Sequence, residues 1–169
     1  MNGIAKIGLL GLGAMGKNHL RVLSLLKGVQ IVFIYDQNQL VTEELARAYK
    51  VQGITNLSDY SGELDGVIIA TPTTSHEKYI SYYASRVKYI FVEKPLTSSH
   101  EEALRILSST SNKNLNIQIG FIERYNPAVL AVKEIIDSTD SVVSIDFTRT
   151  NKISSRITDV DVALCKGYL

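Results

Sequence analysis

The sequence predicts a doubly wound α/β domain with a parallel sheet, followed by the start of an incomplete second α/β domain. Three observations carry this reading. β-Branched apolar runs alternate with helix-forming stretches, a glycine turn joins the first run to the first helix, and the periodicity changes near residue 122.

The first run, Ile4 to Leu10 (IAKIGLL), has strand length and leads through GLGAMG into a helical pattern carrying Leu20, Leu23 and Leu26. Val29 to Tyr35 (VQIVFIY) is β-branched and aromatic, as suits a strand buried on both faces, and it ends in Asp36. Residues 39–50 are good helix formers with Leu40, Leu45 and Ala48 for one face, and Asn38 stands at the cap position. Leu64 to Ala70 and Val87 to Val92 read as further strands, with a helix over Ser75 to Ser85 between them. Ser98 with Glu101, and Ser99 with Glu102, both have capping-box spacing ahead of ALRIL, which predicts a helix over 99–110. Leu115 to Phe121 closes the series as a strand. Strands separated by helices of this length give a parallel sheet with right-handed crossovers, covered on both faces. Pro127 then opens a helix to about Ile136. Ser141 to Thr150 alternates, with Val143, Ile145 and Phe147 on one side, the pattern of a one-sided strand that needs a partner.

The chain has 169 residues, 45% apolar and 21% charged, enough for a core and unlike a disordered tail or a disulfide-stapled mini-protein. Eighteen basic against 17 acidic side chains are spread evenly, which argues against nucleic acid as a partner. Cys165 is the single cysteine, so no intramolecular disulfide forms, and no metal site is expected. The apolar runs are too short to span a bilayer, and the first meets a glycine motif instead of a cleavage site, so a soluble, cytoplasmic protein is expected.

The glycine turn is Gly11-Leu12-Gly13-Ala14-Met15-Gly16. Its first glycine permits the tight turn, the second lets backbone approach a pyrophosphate, and the third allows close helix-to-strand packing, while N–H groups at the helix start face the anion. A strand precedes it, a helix follows, and Asp36 ends the second strand about 20 residues beyond Gly16. This is the context of a dinucleotide-binding Rossmann domain. Asp36 would accept from both adenosine ribose hydroxyls and repel a 2′-phosphate, favouring NAD over NADP; a helix-capping role is compatible with this. Two further segments fall at the carboxyl edge, where ligands of open α/β sheets bind. In Ala70-Thr71-Pro72-Thr73-Thr74-Ser75-His76, hydroxyls line that edge, although Ser75 and His76 also suit a helix start. In Glu93-Lys94-Pro95, Lys94 can hold a substrate oxygen and stabilise an alkoxide, with Glu93 orienting it or touching the nicotinamide ribose. A solvated ion pair at a strand end fits the same residues.

Four motifs stand in order: GLGAMGKNH, ATPTTSH, EKPL and GFIERYNPA. Together they resemble the Gfo/Idh/MocA oxidoreductases, the glucose-fructose oxidoreductase and inositol dehydrogenase family, over residues 1 to about 164. The RYNPA and SSRITDVDVAL segments look most similar to members acting on nucleotide-activated sugars, such as UDP-N-acetylglucosamine 3-dehydrogenase. The resemblance implies an NAD(P)-binding Rossmann domain over 1–122, and over 123–169 the beginning of a substrate and oligomerisation domain. It puts Gly11, Gly13, Ala14, Met15 and Gly16 along the pyrophosphate, Asp36 on the adenosine ribose, Thr71 and His76 along the cofactor, and Glu93 by the nicotinamide ribose. Lys94 would be the catalytic lysine touching both cofactor and substrate oxygen, and Arg124 and Asn126 would lie on the substrate side. The family's later acid–base Asp and His fall at Cys165 and Leu169, so both are absent and the chain reads as C-terminally shortened. Two functions follow: hydride transfer between a sugar or nucleotide-sugar hydroxyl and a nicotinamide, or a non-catalytic NAD-binding module. The lone strand at 141–150 is expected to pair with another copy or with helices of its own cofactor domain.

Overall fold

A computed structural model describes residues 3–111, 114–146 and 148. The chain divides into two compact units, Met1–Gly120 and Phe121–Leu169. The first carries β1 (Ala5–Leu10), α1 (Ala14–Leu23), β2 (Val29–Tyr35), α2 (Gln39–Tyr49), β3 (Gly66–Ile69), α3 (His76–Tyr83), β4 (Tyr89–Val92), α4 (His100–Thr110) and β5 (Asn116–Ile119). All strand pairs are parallel, in the order β2-β1-β3-β4-β5. The connections from β1 and from β3 run in opposite directions, so the switch point of this doubly wound sheet lies between those two strands.

Alternation along each strand fills two cores. On one face Leu9 and Ile34 pack with Leu12 and Leu20, against α1 and α2. On the other, Leu10, Phe33, Val67, Ile69, Ile90 and Val92 pack with Tyr79, Ile80 and Tyr83 of α3 and Ile106 of α4. Burying each such aliphatic or aromatic side chain is worth about 1.5–3 kcal/mol, and this holds the helices where their N-termini meet the carboxyl edge of the sheet. Beside β2, Ile34 donates to the Gln52 carbonyl and accepts from the Ile54 N–H, so residues 52–54 bridge that edge.

Local details differ from the sequence expectation. Strands expected over 64–70 and 87–92 shorten to β3 and β4 because ladder partners run only from Gly66 to Ile69 and from Tyr89 to Val92. Asn38 and Ser75 occupy N-cap positions, but neither side chain caps. The Asn38 N–H instead donates to Asp36 Oδ1 at 2.8 Å, and a 3-10 turn at Thr73–Ser75 leads into α3. Of the two capping candidates before α4, Ser99 is the N-cap, accepting from the Glu102 N–H, while Glu102 Oε2 accepts from Ser98 N–H and Oγ–H.

In the second unit a 3-10 turn at Ile122–Tyr125 precedes α5 (Pro127–Asp137), with Pro127 at the first turn and Asn126 Oδ1 accepting from Ala128 N–H at 3.0 Å. The expected strand over 141–150 is corrected: residues 141–146 form none, because alternation supplies a face but no described residue supplies a ladder. Phe147, Arg149, Thr150, the 154–164 segment, Cys165 and Leu169 lie outside the described residues.

Candidate functional site

The switch point brings the glycine turn against the loop after β3. Gly11 has φ +86°, a left-handed conformation that other residues resist, and a β-carbon there would lie 2.6 Å from Ala70 and Thr71 backbone. At Gly16 a β-carbon would collide with the Gly11 carbonyl, so α1 can start this close to β1 only with glycine at that position. Gly13 is the opposite case: a side chain would meet nothing, because its α-carbon faces open space at the start of α1. No side chain caps that helix and no carboxylate stands in its first turn. Bare backbone, an uncapped helix N-terminus and exposed Ala14 and Met15 together fit a pyrophosphate.

Asp36 is tied into the same turn. Its Oδ2 accepts from the Leu12 N–H at 2.7 Å, its Oδ1 from Asn38, and its own N–H donates to Thr42 Oγ1 at 3.0 Å. The Gly11 N–H donates to the Tyr35 carbonyl at 2.8 Å. The carboxylate is therefore fixed in orientation, and each oxygen keeps a lone pair for a ribose hydroxyl. Nearby, Tyr79 is buried, and burial first, then its hydrogen bond with Tyr35, pushes the phenol up to about 12, keeping it neutral.

Past β3, Thr71 Oγ1 accepts from Ser75 Oγ at 2.8 Å, and Thr71 is half-buried at the cleft edge. His76, expected along the cofactor, stands at the start of α3. It is 1% exposed, with Nε2 2.9 Å from the Thr71 carbonyl oxygen and Nδ1 3.1 Å from those of Pro95 and Leu96. Both ring nitrogens are engaged inside the protein, so the imidazole braces the two loops from behind.

At the end of β4, Glu93 is 7% exposed and Lys94 is exposed, followed by a cis Lys94–Pro95 bond. Glu93 Oε1 accepts from His19 Nε2 of α1 at 2.7 Å, and Oε2 from the Lys94 N–H at 3.3 Å. Gly120 lies close behind this carboxylate: a β-carbon there would lie 3.0 Å from Glu93 Oε2, a tight contact. The His19 ring stands edge-on to Phe91, with centroids 5.3 Å apart. Sequence reasoning quoted His19 within a motif without a role; its position one helical turn beyond Gly16 was the available signal. Arg124 and Asn126 belong to the second unit, where Asn126 caps α5 and its Nδ2 donates to Glu123 Oε2 at 2.9 Å. Among the described residues no helix is long and apolar enough to cross a membrane, and no group of three or more His, Cys, Asp or Glu could hold a metal ion.

Residues 5–121 match the Gfo/Idh/MocA family, an oxidoreductase family with an NAD-binding Rossmann fold. The chain is 32% identical over 133 residues to an inositol 2-dehydrogenase of Rhizobium meliloti, covering 78% of this chain and 40% of that protein. It is 28% identical over 131 residues to a glucose-6-phosphate 3-dehydrogenase of Bacillus subtilis, covering 78% of this chain and 37% of that one. Among solved structures, the myo-inositol dehydrogenase of Lactobacillus casei in complex with NAD(H) and myo-inositol superposes with a TM-score of 0.74 at 29% identity, covering 80% of this chain and 42% of that one. The chain thus spans about 40% of the length of the curated relatives it matches. With the glycine turn, Asp36 and the Glu93-Lys94-Pro95 edge in the places just described, the chain belongs to the Gfo/Idh/MocA oxidoreductase family.

Proposed function

We propose that this chain binds NAD(H) in preference to NADP(H) and serves hydride transfer between a hydroxyl carbon of a sugar or cyclic polyol and the nicotinamide. The observation that carries the reading is the Asp36 carboxylate, held at 2.7 Å by the Leu12 N–H of the glycine turn. Gly13 and the start of α1 receive the pyrophosphate on bare backbone. Asp36 accepts from the adenosine ribose and repels a 2′-phosphate at the same place. Bound NAD supplies the hydride acceptor. The Lys94 ammonium would hold the oxygen on the carbon that gives up hydride, and its charge would stabilise the negative charge developing there as the hydroxyl proton passes to solvent water. Glu93, fixed by His19, keeps the backbone of Lys94 in place. Arg124 and Asn126 are proposed on the substrate side, and the unit from Phe121 onward as part of the substrate wall. The relatives named above act on inositol and glucose 6-phosphate, which broadens the substrate class beyond nucleotide-activated sugars. The reading carries with it a cytoplasmic protein.

Fluorescence titration tests the cofactor assignment. The wild type should bind NADH more tightly than NADPH, and Asp36→Ala should weaken NADH about tenfold or more while narrowing that preference. Absence of NADH binding, or a titration unmoved by Asp36→Ala, would falsify the reading. Binding without turnover of inositols, sugars or nucleotide sugars would leave the non-catalytic module in its place.

A further inference from the structure

We infer that His19 is a positioning residue for the nicotinamide end of the cofactor, acting through Glu93; the inference rests on the cofactor reading above. Strand order supplies the direction. With adenosine at the end of β2 and pyrophosphate on the β1–α1 turn, a dinucleotide laid along the carboxyl edge continues past β3 to β4, and its other end reaches Glu93 and Lys94.

The Glu93 carboxylate is gripped from both sides. His19 Nε2 donates to Oε1 at 2.7 Å, and Oε2 lies 3.3 Å from the Lys94 N–H, against the α-carbon of Gly120. The His19 side chain is itself packed edge-on to Phe91 of β4, which sets its ring plane. A buried carboxylate that loses its charge-assisted donor must rotate toward water or toward the ligand, and either movement releases Lys94. His19 also sits on α1, the helix whose first turn takes the pyrophosphate. One rigid element therefore registers the anion site against the reactive edge, and the contact spans 74 residues of sequence.

The test uses the full chain and two ligands that share adenosine and the pyrophosphate: NADH, and ADP, which lacks the nicotinamide and its ribose. Calorimetric titration of the wild type, His19→Ala and His19→Gln is paired with thermal melts. His19→Ala should weaken NADH on the order of tenfold and leave ADP unchanged. His19→Gln, whose amide can donate to the same oxygen, should recover most of the NADH affinity. A merely structural role would move both ligands together or move only the melting temperature, and either result overturns the inference while the cofactor reading stands. A wild type that binds neither ligand overturns the cofactor reading and this inference with it.

Discussion

At the β1–α1 turn the site is made of backbone: Gly13 faces open space, the helix is uncapped, and Asp36 is the one carboxylate locked onto the turn among the described residues. At the end of β4 it is made of side chains, with Glu93 buried between His19 and Gly120, and His76 braced behind Pro95 and Leu96. The first region would meet a ligand with backbone N–H groups, which carry no side-chain preference, and with the single carboxylate of Asp36. The second must be assembled from α1, α3 and two strands before it can hold a reacting group. In the proposed reading, binding would rest on a locally folded turn, and the placing of a reacting group on tertiary contacts.

Substitutions at the glycines break that contrast most severely. Gly16→Ala drives a methyl into the Gly11 carbonyl and should cost about 3 kcal/mol or more in urea denaturation. Gly13→Ala should stay within about 1 kcal/mol of wild type, since nothing meets the new methyl, yet lose NADH affinity because that methyl occupies the ligand's approach. Equal destabilisation by the two would show that the turn is not an open cradle. Next comes His76→Leu, which removes a buried imidazole's hydrogen bonds to three backbone carbonyls and should cost about 1–3 kcal/mol of stability. It should weaken NADH and ADP alike; a loss confined to NADH would move His76 from brace to ligand contact.

The smallest effect belongs to the pair that ties α3 to α4. Arg105 donates from Nε and Nη2 to the two Glu77 oxygens at 2.6 and 2.8 Å, and this hydrogen bonding holds the Glu77 carboxyl below its ordinary 4.5. A lowered folded value stabilises above the ordinary range and is lost as pH falls through the folded value. Arg105→Ala should therefore lower Tm slightly at pH 7, and the difference from wild type should vanish well below pH 4.5. A difference that persisted in acid would assign it to lost packing of the arginine stem.

What could be read from the sequence follows the same division. Gly11, Gly13, Gly16 and Asp36 lie within one βαβ unit, so spacing alone singles them out as candidates. Lys94 was singled out by its place at a strand end, directly after β4. The partners of Glu93 and His76 were not: one lies 74 residues away on another helix, and the others are backbone carbonyls that carry no residue signature. The strand expected over 141–150 is absent over its described residues 141–146 for a related reason, since alternation describes one face and says nothing of the neighbour a ladder requires. Asn38 was read as a cap from its residue type; it occupies the N-cap position, but its side chain makes no capping bond and its N–H donates to Asp36.

The bridge that residues 52–54 make to Ile34 has a further consequence, because it covers that part of the β2 edge while no described strand covers β5. At β2 the outward backbone groups of Ile34 are already spent. At β5, beyond which no described strand lies, the outward N–H and C=O groups of Asn116–Ile119 form a template. A strand added at β5, from the same molecule or another, would enter beside β4, which leads into Glu93 and Lys94, and on the far side of the sheet from β2 and Asp36.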